Sequence, residues 1–389
     1  MPKLSSLMIE PINTPRPLDS DTIRRDDLVR FRQQATELGL VVLRIPGIDQ
    51  GDYALVRTLM ESYYGQELSH LRPDIRVADH RQVGLTEPHL EHDPRHKELA
   101  TSLPEHLRPF PHKGPNPFMR FFWRYGSRPV DTDFPERHAD PVIPKRFRNV
   151  WATIMNDWGE KISRAGIICA RMTEKAFELE NRAIQNIMHQ GPHLVAPTGC
   201  DLITLLAERS QVGGGTIGMM IKTTKDDAAL QTLAWRHNWI GLVLSDWHTD
   251  FNLFTGHGPS NFPGLLGWTP ALDKAFPVRV PPGCFLFQFG EGMEYLSAGK
   301  LGEDRIRRGY HQVVVTMDTL RTLKQRLLLG LPPIRVSSTA FFHGNSDQRL
   351  APLPQFRTGD WERRYPPTTF GAYGAEVIKQ IGLGASVAS

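Results

Sequence analysis

The stretch Asp246-Trp247-His248-Thr249-Asp250-Phe251-Asn252-Leu253 lies near the middle of the 389-residue chain and follows the apolar run "GLVL" (241–244). The apolar run predicts a β-strand. Residues i and i+2 of a strand face the same side, so His248 and Asp250 would direct an imidazole nitrogen and a carboxylate oxygen into one space. Both groups are common metal ligands. The alternative interpretation is a hydrogen-bonded core histidine beside a turn aspartate.

A second His-x-Asp pair, His138-Ala139-Asp140, has a less favourable setting. It lies in "FPERHADPVIPK" (134–145), where Pro135 and Pro141 argue against a hydrogen-bonded strand ladder. With 15 histidines in the chain, about one such pair is expected by chance. His248 and Asp250 are therefore the better metal-ligand candidates.

A third ligand is offered by His311, which opens the strand-like run "GYHQVVVT" (309–316). Two histidines and one carboxylate on one face of a metal leave open positions, an arrangement that suits non-haem Fe(II). A histidine in a strand can equally have a structural role, so His311 supports a metal site only together with the other candidate residues.

Arg335 and Ser337 are spaced i and i+2 in the apolar run "IRVSSTAFF" (334–342). A buried arginine is costly unless it is paired, and its planar guanidinium can bind a carboxylate through two hydrogen bonds. We therefore expect Arg335 and Ser337 to bind a carboxylate. The alternative is an edge-strand arginine that faces water.

The chain resembles the iron(II)/2-oxoglutarate oxygenases of the isopenicillin N synthase-like family. The resemblance lies in three segments taken in order: "HTDFNLFTGHG" (248–258), "GYHQVVV" (309–315) and "RVSSTAFF" (335–342). The likeness covers most of the chain. It implies an oxidoreductase that is a dioxygenase and uses Fe(II), 2-oxoglutarate and O2 to oxidise a C–H bond of a small molecule. A narrower resemblance is to fungal members that act on a free amino acid, including valine oxygenases that close an aziridine ring.

The resemblance implies that His248, Asp250 and His311 are the metal ligands and the catalytic residues. It implies that Arg335 and Ser337 hold the distal carboxylate of 2-oxoglutarate. In isopenicillin N synthase itself the corresponding pair holds the substrate, and no 2-oxoglutarate is used. An oxidase of that type therefore stays open, as does a barrel-scaffold binding protein without catalysis. Hydroxylation, desaturation and oxidative ring closure are all possible outcomes.

The hydrophobic pattern predicts an α+β protein with a mainly β core. Short apolar runs after about residue 235 predict the strands of a barrel or sandwich, and the resemblance makes this a double-stranded β-helix, or jelly roll, flanked by helices. Helical spacing covers 26–38, 52–64, 319–329 and 375–381, and 147–180 is the best candidate for the long spine helix of the family.

We expect one enlarged domain over 1–389. Its parts are an N-terminal arm (1–20), a helix-rich part (21–235), the β-helix core with the metal site (236–350) and a C-terminal segment (351–389). The helix at Thr319–Leu329 reads as an insertion that packs on the barrel exterior or in a subunit contact, outside the metal site.

The composition limits the possible partners. A formal charge of +4 without a long basic run argues against a nucleic-acid partner, and the cluster Arg305–Arg308 reads as a solvated surface. No stretch of about 18 apolar residues predicts a membrane span. Three scattered cysteines and the lack of a signal-peptide pattern indicate a reducing, cytoplasmic location.

Further patterns receive plainer interpretations. Gly213–Gly218 formally fits G-x-G-x-x-G but lacks the strand before it, so we predict a flexible loop rather than a phosphate site. The cluster from His89 to His96, with Glu91 and Asp93 between, reads as surface or lid. Candidates for pocket walls are the phenylalanines near the proposed ligands: Phe251, Phe287, Phe289 and Phe341.

Overall fold

A computed structural model describes residues 22–48 and 50–384, together with 2, 4, 5, 7 and 9–15 of the N-terminal segment. The strands in these ranges are β1 (Ile12–Asn13), β2 (Leu40–Arg44), β3 (Gly84–Thr86), β4 (Met119–Arg124), β5 (Leu194–Val195), β6 (Thr198–Asp201), β7 (Val243–His248), β8 (Phe254–His257), β9 (Leu265–Trp268), β10 (Ala275–Pro277), β11 (Cys284–Phe289), β12 (Tyr310–Val314), β13 (Ile334–Ser337), β14 (Thr339–Phe342), β15 (Arg349–Leu350) and β16 (Thr368–Thr369).

The α-helices of the same ranges surround these strands. They are α1 (Arg25–Glu37), α2 (Gln50–Tyr64), α3 (Leu68–Leu71), α4 (Lys97–Ser102), α5 (Trp151–Ala176), α6 (Ala183–Met188), α7 (Leu202–Ser210), α8 (Gly214–Lys222), α9 (Asp227–Arg236), α10 (Glu291–Ser297), α11 (Met317–Leu328), α12 (Trp361–Arg364) and α13 (Phe370–Gln380). Among the described residues, no helix is both long and apolar enough to span a membrane.

Two sheets form the β core. The large sheet runs in the order β1-β2-β11-β8-β14-β5-β4-β6-β13, with β3 paired to β4, and the small sheet runs β10-β9-β12-β7. Within the described strands every pair is antiparallel except β1 with β2. The prediction of a mixed α and β protein with a large antiparallel core is confirmed.

The main hydrophobic core lies between the large sheet and helices α1, α2 and α5. Helix α5 carries apolar residues at steps of three and four, so one face of the helix is buried along its length. Trp151, Trp158 and Ile162 are among the fully buried side chains of that face, and burying each such side chain stabilises the fold by about 1.5–3 kcal/mol. Gly166 on the same helix faces the ring of Phe342, which lies where a Cβ atom would be.

A second core packs helices α7, α8, α9 and α11 beside the small sheet. Helix α11 begins with a capping box, in which the side chains of Thr316 and Thr319 each accept from the backbone N–H of the other. It buries Leu320 and Leu323 in this core. The predicted helix at 319–329 is thus present, shifted by two residues at its start.

Two local predictions are wrong. The glycine-rich segment 213–218 is not a flexible loop, because it begins helix α8, whose Ile217 and Ile221 are buried in the second core. Hydrophobic burial outweighs the poor helix propensity of glycine here. The cluster Arg305–Arg308 is not a solvated surface either: Arg305 is buried, and Arg308 pairs with Glu291 and Glu294.

The predicted N-terminal arm is in part a structural element. Ile12 and Asn13 pair with Leu43 and Arg44, so β1 extends the edge of the large sheet. Residues 1, 3, 6, 8 and 16–20 of the predicted arm, like 21 and 49 of the helix-rich part and 385–389 of the predicted C-terminal segment, lie outside the described residues.

Candidate metal and ligand-binding site

The two candidate histidines lie opposite each other on adjacent strands. His248 ends β7 and His311 is the second residue of β12, and the two are Cα partners in the antiparallel register. Their ring centroids are 4.2 Å apart. Paired residues of neighbouring strands place their side chains on the same face of the sheet, so the register itself brings the two imidazoles together.

Asp250 lies beyond the end of the strand, which differs from the expected same-face pair. β7 ends at His248, and the chain turns there because Glu291 donates its backbone N–H to the Asp250 carbonyl at 2.8 Å. Gly290 permits this approach, since a Cβ at that position would contact the Asp250 carbonyl oxygen. Thr255 donates its hydroxyl to Asp250 Oδ2 at 2.6 Å and orients the carboxylate.

His248, Asp250 and His311 each offer a ligand atom, and the three atoms lie within 4.8 Å of one another. Asp250 Oδ1 is 3.6 Å from His248 Nε2. His248 Nδ1 lies 2.6 Å from the Asp246 carbonyl, which fixes Nδ1 as the donor and leaves the lone pair of Nε2 for a metal. No other group of three His, Cys, Asp or Glu in the described part of the chain has this geometry.

The charge states fit a divalent cation. Burial opposes ionisation of Asp250, but the nearby His311 and His248 and the hydrogen bond from Thr255 outweigh it and hold the pKa of the carboxyl below its usual value. Burial, reinforced by His248, lowers the pKa of His311 well below that of free histidine. A carboxylate and neutral imidazoles are the forms that bind a metal. The residues present therefore fit a divalent metal ion, and two histidines with one carboxylate are a ligand set that suits iron(II).

A cavity of about 580 Å³ opens above these three residues and is lined by strands of both sheets. Arg335 and Ser337 on β13 line the same cavity. The Arg335 side chain is buried, its Nε has no partner, and no carboxylate of the described residues pairs with it. Burial lowers the pKa of Arg335, opposed by Tyr53 and Cys200, yet an arginine stays protonated at neutral pH. The cavity thus contains an unneutralised cation.

Arg120 on β4 is a second cation in the cavity wall. Its Nη1 donates to Glu91 Oε2 at 2.8 Å, and its guanidinium lies 5.5 Å from the ring centroid of Phe341 and 4.7 Å from that of Phe118. Arg120 lies in the run "FMRFFWR" (118–124), and β4 is buried from Arg120 to Arg124. An arginine inside an otherwise apolar strand was the available signal, but sequence reasoning alone missed Arg120 as a site residue.

Three comparisons relate this geometry to known proteins. No protein-family model matches the chain, and no curated protein resembles it significantly in sequence. Similar solved structures exist: a Caulobacter crescentus protein assigned to the 2OG-Fe(II) oxygenase family has a TM-score of 0.64 at 16% identity, with 96% of this chain and 99% of that chain covered. A Neurospora crassa protein solved in complex with alpha-KG and thymine has a TM-score of 0.62 at 13% identity, with 96% of each chain covered.

The rice dioxygenase for auxin oxidation has a TM-score of 0.56 at 16% identity, with 95% of each chain covered. The chain has the fold of these oxygenases. At such low identities the likeness concerns the fold of the chain, so the chemistry has to be argued from the site residues.

In this oxygenase fold the aromatic candidates divide into two groups. Phe341 lines the large cavity and also a small cavity of about 50 Å³, which Phe251 lines as well, and Asp250 borders both cavities. Phe287 and Phe289 are fully buried in the main core instead of forming pocket walls. The alternation of side chains along β11 does not show which of its residues line a cavity, because that strand is buried on both faces.

The cluster at 89–96 is mostly interior, contrary to the prediction of surface or lid. Glu91, Asp93 and His96 are buried. Asp93 accepts from Arg95 at 2.7 Å, and Arg95 also reaches Glu291, the residue that holds the Asp250 backbone. The segment 89–96 therefore stabilises the turn at Asp250 indirectly, through the ion pair between Arg95 and Glu291.

Helix α11 borders the mouth of the large cavity through Asp318, Arg321 and Thr322. Arg321 pairs with Asp318 and with Asp227 of α9, which ties the two helices together at the rim. The helix packs outside the sheets, and none of its residues belongs to the metal-ligand group of the described chain. It can shape access to the cavity without touching the metal.

His257 on β8 lines the cavity and was not predicted as a site residue. Its ring centroid is 5.8 Å from that of His311, and its Nε2 is buried without a hydrogen-bond partner among the described residues. Burial lowers its pKa to about 4. A neutral imidazole at this position can donate to, or accept from, a ligand in the cavity.

Proposed function

We propose that this protein is an enzyme, a non-haem Fe(II)/2-oxoglutarate-dependent dioxygenase that oxidises a C–H bond of a small molecule. One observation carries the proposal: two histidines and a carboxylate converge in a cavity that also holds a buried arginine without an anionic partner. The shared fold supports it. In this proposal the chain is a single domain with the boundaries given above, and α5 corresponds to the long spine helix of the family.

His248, Asp250 and His311 would hold the iron. When bound, iron(II) and 2-oxoglutarate supply the activation of O2 and the oxidation of the substrate, with release of succinate and CO2. The chain's own contribution is orientation: Asp246 sets the tautomer of His248, and Thr255 fixes the carboxylate of Asp250. The cavity walls exclude water from the reacting bond.

Arg335 and Ser337 would hold the distal carboxylate of 2-oxoglutarate. A carboxylate would neutralise the buried guanidinium and fill the missing hydrogen bond at its Nε, while Ser337 supplies a hydroxyl donor from the same strand. Burial raises the pKa of Tyr53 despite the nearby Arg57 and Arg335, so this side chain close to Arg335 stays a neutral phenol. The guanidinium is thus pre-organised by packing before the cosubstrate binds.

The remaining walls suit a small substrate with an apolar body and one anionic group, such as a free amino acid of the size of valine. Leu244, Phe262 and Val313 provide apolar surface. Arg120 provides the cation, because one edge of its guanidinium binds Glu91 while its Nη2 has no hydrogen-bond partner among the described residues. Hydroxylation, desaturation and ring closure such as aziridine formation are the candidate outcomes.

The experiment is an anaerobic titration of the Fe(II)-loaded protein with 2-oxoglutarate, monitored by the metal-to-ligand charge-transfer absorption. We expect a saturable band, followed by succinate release on admission of O2. Free L-valine and other small carboxylates are then screened for an increase in succinate release. Absence of the band, or turnover of an amino acid that is independent of 2-oxoglutarate, would favour the oxidase alternative instead.

Arg120→Met is the matched test of the substrate site. We expect the charge-transfer titration to be unchanged and the KM for the substrate to rise, since Arg120 lies outside the proposed cosubstrate anchor. A weakened titration with 2-oxoglutarate would place the cosubstrate, not the substrate, against Arg120.

A further inference from the structure

A second group of cations lies in the interior, away from the proposed iron ligands. Arg124 ends β4, and Arg137 and His138 end the 3-10 turn Pro135–His138 further along the chain. All three are buried. Arg124 Nη2 donates to His138 Nδ1 at 2.8 Å, so the remaining proton of a neutral His138 is on Nε2.

The unpaired atoms of this group are all donors. Arg124 Nε and Nη1, Arg137 Nε and Nη1, and His138 Nε2 are buried without a hydrogen-bond partner among the described residues. Neither arginine has a carboxylate within ion-pair distance in the described part of the chain. A guanidinium has no acceptor atoms and stays protonated, so a ligand here has to accept hydrogen bonds and carry negative charge.

Two carboxylates act on this group from outside it. The charge of Glu136 raises the pKa of Arg137, and the charge of Asp347 raises the pKa of His138. Glu136 is only half-buried and Asp347 is exposed, so neither carboxylate is enclosed with the three cationic residues. Burial lowers the pKa of Arg124 to about 9 and that of Arg137 to about 10, which leaves both charged at neutral pH. The site therefore has a net positive charge.

Arg137 is packed closely by residues of other segments. Its guanidinium lies on the backbone of α13 at Gly374, in the space that a Cβ atom would take. The guanidinium also lies 5.7 Å from the ring centroid of Phe251, the residue that directly follows Asp250 in the chain. The ring of Phe251 is in turn 5.4 Å from that of His343.

We propose that Arg124, Arg137 and His138 bind a small inorganic anion of the size of chloride, enclosed when the chain folds. The unpaired N–H groups are sealed from solvent, which excludes a large metabolite as the ligand. The anion neutralises the two guanidinium groups and so stabilises the packing of the 134–138 turn on α13 and on Phe251. This site is separate from the proposed iron site and does not depend on the proposed function.

The first test measures the thermal unfolding of the full chain at constant ionic strength, with sodium gluconate replaced stepwise by sodium chloride. Gluconate is too large for the site. We expect a saturable rise in Tm of about 2–5 °C with chloride. Arg137→Met should abolish the rise, and Arg128→Met should retain it, because Arg128 is an exposed neighbour that pairs with Asp140. An equal Tm in both salts would overturn the proposal.

The second test needs no variant and covers the case in which Arg137→Met fails to fold. A crystal of the unchanged protein grown in bromide is expected to show an anomalous peak in contact with Arg124, Arg137 and His138. Water alone at that position, or a carboxylate side chain turned into it, would refute the proposal. A bromide peak without halide-specific stabilisation in solution would mean binding at crystal concentration only and would equally refute it.

Discussion

Replacing Arg335 by lysine separates the cosubstrate site from the metal site. The Arg335 guanidinium is buried, has an unpaired Nε and no anionic neighbour among the described residues, so a 2-oxoglutarate carboxylate would be its main partner. Lysine keeps the charge and loses the planar fork. The loss of one hydrogen bond between charged groups costs about 1.5–3 kcal/mol. At about 1.4 kcal/mol per decade, the affinity for 2-oxoglutarate should fall by about 10- to 150-fold.

The assay is the anaerobic charge-transfer titration, together with the iron content of each sample. Iron should stay bound in Arg335→Lys, because Arg335 is not among the proposed ligands. Arg321→Lys is the matched control: it changes an arginine at the mouth of the same cavity that already has Asp318 and Asp227 as partners. Equal affinity for 2-oxoglutarate in Arg335→Lys and the unchanged protein would refute the assignment of the carboxylate site.

Three further changes test the metal site, a buried ion pair and the packing. His248→Ala should lose iron and turnover with an unchanged circular-dichroism spectrum. His138→Ala, in the other His-x-Asp pair, is the control and should keep its iron. Normal iron content in His248→Ala would contradict the ligand assignment. Glu294→Gln should lower the free energy of unfolding by about 3 kcal/mol near pH 7. Burial raises the pKa of Glu294, but its partner Arg308 outweighs burial and holds the pKa below the ordinary value of a glutamate. The stabilisation by this ion pair is therefore present above the pKa of the unfolded chain and is lost as the pH falls through the pKa of the folded protein. A stability difference between Glu294→Gln and the unchanged protein that does not shrink in acid would contradict this assignment. In urea denaturation Gly166→Ala should destabilise by about 1–3 kcal/mol, since the new methyl group overlaps the ring of Phe342. Gly218→Ala should stabilise by about 0.5–1 kcal/mol, since its methyl group meets only the Ile203 side chain, at an ordinary contact distance of 4.0 Å. Equal effects of the two changes would contradict the packing.

Local pattern was enough for the elements with strong periodicity. The apolar stripe between Trp151 and Cys169 predicted the longest helix, and the observed α5 is a few residues shorter at each end. Helix α11 was likewise predicted within two residues. These predictions succeed because burial of one face depends on spacing along the chain, which the sequence contains in full.

Prediction failed where the partner of a charged residue is distant in sequence. Arg308 pairs with glutamates of α10, and Arg120 pairs with Glu91, so both arginines are interior although a charged residue reads as exposed. The glycine-rich start of α8 failed for a related reason: its helix is held by Ile217 and Ile221 packing on a core formed from other segments. Propensity is a local quantity, and tertiary contacts override it.

The residue types of the candidate site could be predicted from the sequence: two imidazoles, a carboxylate, and an arginine with a hydroxyl on one strand. Their position in or next to apolar, strand-forming runs could be predicted as well. The folded chain adds three features: His248 and His311 are register partners, Asp250 reaches them from a turn beyond the strand, and no carboxylate of the described residues pairs with Arg335. These features could not be predicted because strand pairing and charge neutralisation are non-local, and each depends on segments that meet only when the chain folds.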